Sequence, residues 1–233
     1  LDYGEAGKTY YLVMEYLEGQ DLDHVLLQRG ASKIDRAAVY HLKVQVHVLK
    51  SENPQAVDSA LTGLRMFGID IPAHPSPKQV QAEYDTLWRN LEEHPIESLI
   101  DLPLMTDPEL LAAMQVLSVL LGPAYFTDIQ LHRLHLCRMV NLSIRHGICG
   151  PSAHGCGFLG FILGPAFHRY DEAYRFGKLA CDLAEKHGFL AYKARTYVAM
   201  ALTALWTQPI EAAVDFNRAA FLAATETGSP EMA

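Results

Sequence analysis

No two of the four cysteines, Cys137, Cys149, Cys156 and Cys181, have CxxC spacing, and they form no secreted disulfide framework. Reduced thiols in a cytoplasm are the expectation. Basic clusters are missing as well. The chain has 19 Lys and Arg against 27 Asp and Glu, a formal charge of -8, and no local patch reverses that sign. A nucleic-acid backbone is therefore an unsuitable partner. There is no signal-peptide pattern. The longest apolar run, residues 110–126, is broken by Gln115, Ser118, Gly122 and Pro123. It falls short of the roughly 20 residues that a membrane span needs, so a buried helix ending in a turn is expected there and no span. The chain starts without Met and stops just after a helix end, which suggests a piece of something larger.

What the 233 residues do contain is helix periodicity. In residues 170–188, Ala173, Phe176, Gly177, Ala180 and Ala184 recur at spacings of three and four, with Arg175, Lys178, Asp182, Glu185 and Lys186 on the other side. Gly188 suits a left-handed helix end, and a second helix follows over about 191–207. A third helix after Pro209 has a face of Ala213, Phe216, Ala220 and Ala223 and ends at Gly228. Glu172-Ala173, Ala180 and Ala184 recur 39 residues later as Glu211-Ala212, Ala219 and Ala223, and Asn53-Pro54-Gln55-Ala56 resembles a further copy. A period near 40 with two helices per unit predicts an all-α fold, a TPR-like α-solenoid of antiparallel helix hairpins.

Upstream, helices are expected over 34–50, with Ala38, Leu42, Val46 and Leu49 on one side, and over 53–64. An extended connector with three prolines spans 69–77. A helix over 78–92, a short turn over 96–101 and helices over 109–121, 127–146 and 152–167 follow. Ser76-Pro77-Lys78-Gln79 and Thr106-Asp107-Pro108-Glu109 both fit the capping box. The N-terminus differs in kind. Thr9 to Tyr16 is rich in β-branched and aromatic residues behind a turn at 4–8, which predicts a short β-hairpin. Gly7-Lys8-Thr9 is no phosphate loop, because Asp2 stands where that motif needs glycine and a strand follows instead of a helix.

Tyr11-Leu12-Val13-Met14-Glu15-Tyr16-Leu17-Glu18-Gly19-Gln20-Asp21-Leu22 closely resembles the hinge of serine/threonine protein kinases. The resemblance implies Met14 at the gatekeeper position, the backbone of Glu15 and Leu17 facing adenine, and Asp21 near the ribose. Later stretches resemble, in order, the TPR-like helical region of large bacterial signalling proteins: Gly68-Ile69-Asp70-Ile71-Pro72, the run from Ile96 to Pro108, Pro123-Ala124-Tyr125, Met139-Val140-Asn141-Leu142-Ser143 and Tyr174-Arg175-Phe176-Gly177-Lys178-Leu179-Ala180. In that family a serine/threonine kinase, an AAA-type ATPase, the helical region, a GAF domain and a sensor histidine kinase share one chain. ATP and Mg belong to the parent. This chain lacks the glycine-rich loop, the catalytic His-Arg-Asp segment and the Asp-Phe-Gly metal site, so no catalytic residue and no cofactor are assigned to it. Two domains are expected: a partial kinase fragment over 1–30 and the helical region over 31–233, with an abrupt join at Gly30 to Ser32.

Other chemistry is sparse. His132, His135, Cys137, His146, Cys149, His154 and Cys156 fit no tight ligand spacing. They are expected to be core thiols and helix-surface histidines, with no metal. Gly160 and Gly164 suit close helix packing, and Ser152 and His154 lack a hydrolase context. Trp88 and Trp206 are expected to anchor the core. The expected role is a non-catalytic scaffold or regulatory segment of a signalling kinase, contacting a protein partner or neighbouring domains. The alternative is a kinase remnant whose hinge still binds ATP.

Overall fold

The computed structural model describes residues 2–6, 9–13, 30–92 and 95–227, the first two stretches by their backbone. Asp2–Ala6 (β1) and Thr9–Val13 (β2) pair antiparallel, with Asp2 opposite Val13 and Ala6 opposite Thr9. The rest of the described chain is all-α: α1 (Lys33–Leu49), α2 (Asn53–Arg65), α3 (Pro77–Leu91), a 3-10 turn (Ile96–Asp101), α4 (Pro108–Thr127), α5 (Ile129–His146), α6 (Gly150–Phe167), α7 (Tyr170–Lys186), α8 (Leu190–Thr207) and α9 (Ile210–Thr227). Gly228 lies outside the described residues.

Side-chain caps fix several helix starts. Ser32 accepts from the Asp35 amide at 3.2 Å while Asp35 accepts from the Ser32 amide at 3.1 Å, so α1 opens on its own capping box right after Gly30. Ser76 and Gln79 repeat the arrangement at α3, as expected. At α4 the cap is Asp107 and not Thr106: its carboxylate accepts from Glu109 and Leu110 at 2.8 and 3.3 Å. A charged acceptor that reaches two free amides and also opposes the helix dipole outcompetes the neighbouring hydroxyl.

The expected turn at Gly122-Pro123 is absent, because α4 continues through it to Thr127. Proline removes one helical donor, but Pro123 and Ala124 are buried and Asp128 closes the end. The Asp128 amide donates to the Ala124 carbonyl at 2.9 Å, while its carboxylate accepts from Gln130 and Leu131 at 2.8 and 3.2 Å. One residue thus ends α4 and starts α5. By length and composition the 20-residue α4 could cross a membrane. Here it is the hub of the N-terminal core, with Ala113, Met114, Val116, Leu117 and Leu120 fully buried.

Packing runs mostly between sequence neighbours. α1 lies on α2 and α4, α2 on α4, α3 on α5, α6 on α7 and α8, and α8 on α7 and α9. One apolar cluster joins α1, α2, α4 and α5 around Leu61, Leu64, Met114 and Leu131. A second joins α3, the 3-10 turn, α5, α6 and α7 around Leu87, Leu99, Leu136, Leu159 and Phe176. The clamp between α3 and α5 is polar. Glu83 takes two hydrogen bonds from Arg138 at 2.9 and 2.7 Å and one from Asn141 at 2.8 Å, and Asn141 accepts from Asn90 at 2.8 Å.

The 39-residue repeat read from sequence shifts by one in space. α6 and α8 start at Gly150 and Leu190, and α7 and α9 at Tyr170 and Ile210, 40 residues apart in both cases. The structural counterparts of buried Ala173, Ala180 and Ala184 are buried Ala213, Ala220 and Ala224, whereas Ala212 and Ala219 are only half-buried. The long α2–α3 connector breaks this period on the N-terminal side.

α6, α7 and α8 touch through glycine and alanine. A Cβ at Gly160 would lie 2.7 Å from the Ala173 carbonyl oxygen and 2.9 Å from the Gly177 amide. A Cβ at Gly177 would lie 2.6 Å from the Met200 sulfur, and one at Gly157 would lie 3.0 Å from the Ala199 methyl. Backbone atoms face Gly160, so no side chain can turn aside for a methyl there. Gly160→Ala is expected to lower stability by about 1–3 kcal/mol through forced separation of α6 and α7. Urea denaturation measures this, and an unchanged midpoint would contradict the packing described.

Candidate functional site

Met14, Glu15, Leu17 and Asp21 all lie outside the described residues. Among the described ones, the chemistry-bearing side chains concentrate in α5 and α6. His132, His135 and His154 were expected on helix surfaces, yet they are 1%, 0% and 4% exposed. Their positions in α5 and α6 face the packed interior, so the helices carry them inward with the apolar residues. His132 Nδ1 lies 3.3 Å from the Leu121 carbonyl, and the His132 and His135 rings are 5.5 Å apart. His154 meets Phe158 edge-on at 5.1 Å and Tyr192 at 6.0 Å. His132 Nε2, both ring nitrogens of His135 and Nδ1 of His154 have no protein partner. Among the described residues no group of three or more His, Cys, Asp or Glu is placed to hold a metal ion.

Burial is the main cause that lowers these imidazoles, to about 4 for His132 and about 3 for His154, where Arg195 adds repulsion. His135 falls well below the ordinary value for the same reason, with His132 and His154 as unfavourable neighbours. Burial raises every cysteine. Cys156 and Cys181 reach about 12, and Cys137 and Cys149 also move up, so thiolate chemistry at neutral pH is closed to them. Ser152, whose hydroxyl takes bonds from Ser143 at 2.7 Å and the Cys149 amide at 3.0 Å, pins the start of α6. It has no base beside it. Among the described residues no hydrogen bond joins a buried serine or cysteine to one of these imidazoles.

The open features of the surface are of another kind. A cleft of about 510 Å³ lies where α4 meets the starts of α6 and α8, walled by Leu104, Leu111, Ile148 and Leu190. Met105 donates to the Ile148 carbonyl and Ile148 to the Pro103 carbonyl, both at 2.8 Å, which holds the floor. Gly147 permits this with φ 97°, since a Cβ there would lie 2.5 Å from the Pro103 oxygen. The cleft's polar mark is Tyr192, which donates to Gln115 Oε1 at 2.6 Å. Such walls suit an apolar side chain and offer no catalytic group.

A second strip crosses the α3 end, the α7 start and the α8–α9 joint. Arg169 covers the Trp88 ring at 3.6 Å and donates to Glu172 at 3.0 Å. Arg175 holds Glu97 with bonds of 2.5 and 2.6 Å, which pulls that carboxyl down to about 2. Beyond Arg175 stand Tyr170, Tyr174 and Trp206 around a hollow of about 370 Å³. Trp206, expected as a core anchor, is 56% exposed, while Trp88 is half-buried. Trp206 sits at the C-terminal end of α8, where the alanine-lined α8–α9 contact is too shallow to enclose an indole.

The first and last of the described helices each show a second, outward apolar side. On α1 the stripe of Ala38, Leu42, Val46 and Leu49 lies outward, and Leu49 is 86% exposed. Ala37, Tyr40 and Val44 form the buried side instead. Sequence periodicity detects an apolar face without revealing that the helix has two. On α9, Ala213, Ala220, Ala223 and Ala224 are buried while Ile210, Val214, Phe221 and Leu222 face out. No family model, curated protein or solved structure matches the chain.

The buried imidazoles give a pH prediction with a definite sign. Unfolded, they take up protons near the ordinary 6.5; folded, His132 resists down to about 4 and His154 to about 3. Stability is thus complete above 6.5 and falls as pH drops toward those folded values, by about 1.4 kcal/mol per pH unit for each imidazole involved. Thermal melts between about pH 7 and about pH 5, above the range where carboxylates protonate, should show a steady fall in Tm. A flat Tm across that window would refute the burial of these groups as neutral rings.

Proposed function

We propose that this chain is a non-catalytic helical-repeat segment of TPR-like solenoid type, a scaffold or regulatory stretch of a bacterial signal-transduction kinase. It works by protein contact, with neighbouring domains of its polypeptide or a separate partner, in the cytoplasm. The observation that carries this reading is the pair of apolar stripes left outward on α1 and α9. A repeat array buries each unit only against the next, so outward apolar stripes on its helices suit a neighbouring unit. The 40-residue spacing of helix starts from α6 to α9 supports the same architecture. Exposed Trp206 and the arginine-capped Trp88 add side chains of the types that dominate protein interfaces. Residues 1–30, with their resemblance to a kinase hinge, are the remnant of a preceding kinase domain.

Two measurements test the proposal. Titration calorimetry with ATP and Mg is expected to give no binding heat; micromolar affinity would favour the alternative, an adenine-binding hinge at Met14, Glu15, Leu17 and Asp21. Retention of proteins from a bacterial extract is expected to fall several-fold when Val214 and Phe221 are both changed to Lys. Equal retention by this variant would count against the end faces as contact surfaces.

A further inference from the structure

The strip of aromatics and arginines holds one kind of contact twice, once complete and once with a part left out. In the complete form Arg169 lies over the Trp88 ring at 3.6 Å, and Glu172 accepts from its Nε at 3.0 Å. An indole face, a guanidinium and a carboxylate meet there, and both ring and carboxylate favour the cation. The hollow of about 370 Å³ at the start of α7 and the end of α8 has the indole and the carboxylate too, in Trp206 and Asp171, with Tyr170 and Tyr174 as further rings. Among the described residues the cations that cover a ring are Arg169 on Trp88 and Lys43 on Tyr40, and neither covers Tyr170, Tyr174 or Trp206. Tyr170 lies against α6, where a Cβ at Gly164 would come within 3.1 Å of its ring.

The charges around the hollow are paired except one. Arg175, which also lines it, donates to Glu97 at 2.5 and 2.6 Å, and Arg169 pairs with Glu172. The Asp171 carboxylate is left without a hydrogen-bonded or ion-paired partner among the described residues, although Arg175 feels its charge. We infer that this hollow takes an arginine side chain of a partner protein, its guanidinium laid on the Trp206 ring and its charge met by Asp171. This deepens the protein-contact reading above and rests on it. Arginine suits the hollow better than lysine, because its planar, weakly hydrated group stacks on a ring and still presents N–H donors at its edge to a carboxylate. The net charge of -8 draws a cationic segment in and repels an acidic one. An apolar side chain would cover Asp171 without matching its charge.

The chain has two tryptophans, so two indole N–H signals in nitrogen–proton NMR spectra, assigned with Trp206→Phe, report the two indoles separately. The probe is acetyl-Gly-Arg-Gly-amide, with the lysine, citrulline and leucine peptides beside it. The Trp206 signal is expected to shift saturably with the arginine peptide, at a dissociation constant on the order of 1 mM. Trp88, already covered by Arg169, is expected to stay in place. The citrulline peptide keeps the shape without the charge and is expected to give no saturable shift, and the lysine peptide to bind several-fold more weakly. Asp171→Asn alters an exposed position, and unchanged circular dichroism verifies its fold; it is expected to weaken the arginine peptide about threefold. An unmoved Trp206 signal, an equal response to citrulline, lysine or leucine, or an Asp171→Asn variant that binds as the parent does overturns the proposal. So does a Trp206 signal that moves with protein concentration alone, which would seat a second copy there. If the hollow binds no arginine while extract retention still depends on α9, the scaffold reading stands and only this occupant is wrong. If both fail, the scaffold reading falls as well.

Discussion

The approach of α6 to α7 and α8 is the constraint on which the middle of this molecule depends. Gly160 and Gly177 place backbone against backbone, and Gly157 meets Ala199 and Ala180. Three helices can share so narrow a seam only because no side chain stands between their axes. The contact contributes through many dispersion interactions at short range, each small, and it has no tolerance for added volume. Leu159, Phe176 and Leu183 then close over the flanks. α6 itself is apolar nearly all round, which fits its place between α5, α7 and α8.

Helices 170–188 and 191–207 were legible because their polar and apolar residues segregate with the helical period, and Gly188 marks the break with φ 66°. Caps at Ser76 and Asp107 were legible to within a residue. What escaped has a common cause: periodicity says that a side is apolar, not what lies across from it. α1 has two such sides, and the sequence cannot rank them. Nor does it distinguish a surface histidine from a buried one, since the α5 positions of His132 and His135 differ from a solvent-facing pair only in what α4 and α6 place opposite. The continuation of α4 through Pro123 was hidden because the compensating Asp128 cap acts from beyond the apparent stop.

The stretches whose order resembles a signalling-protein region sit at joints of the packing. Ile69 and Ile71 fill the core under the α2–α3 connector, Ile96 and Leu99 dock the 3-10 turn, and Asn141 and Ser143 tie α5 to α3 and α6. Each of these residues has a packing role that would hold whatever the surface does. The described surface carries an apolar cleft, an aromatic strip with paired arginines, and outward apolar residues on α1 and α9. No buried group among those described is poised for bond making or breaking, and every cysteine is held as the thiol.

Asp128 closes α4 with its amide and opens α5 with its carboxylate, so the two helices meet without a spare residue between them. A linker of even a few free residues would absorb a push as torsional slack. Here the joint is a single residue whose amide and carboxylate are both engaged, which leaves little torsional slack between α4 and α5, and the Glu83 clamp ties α5 in turn to α3.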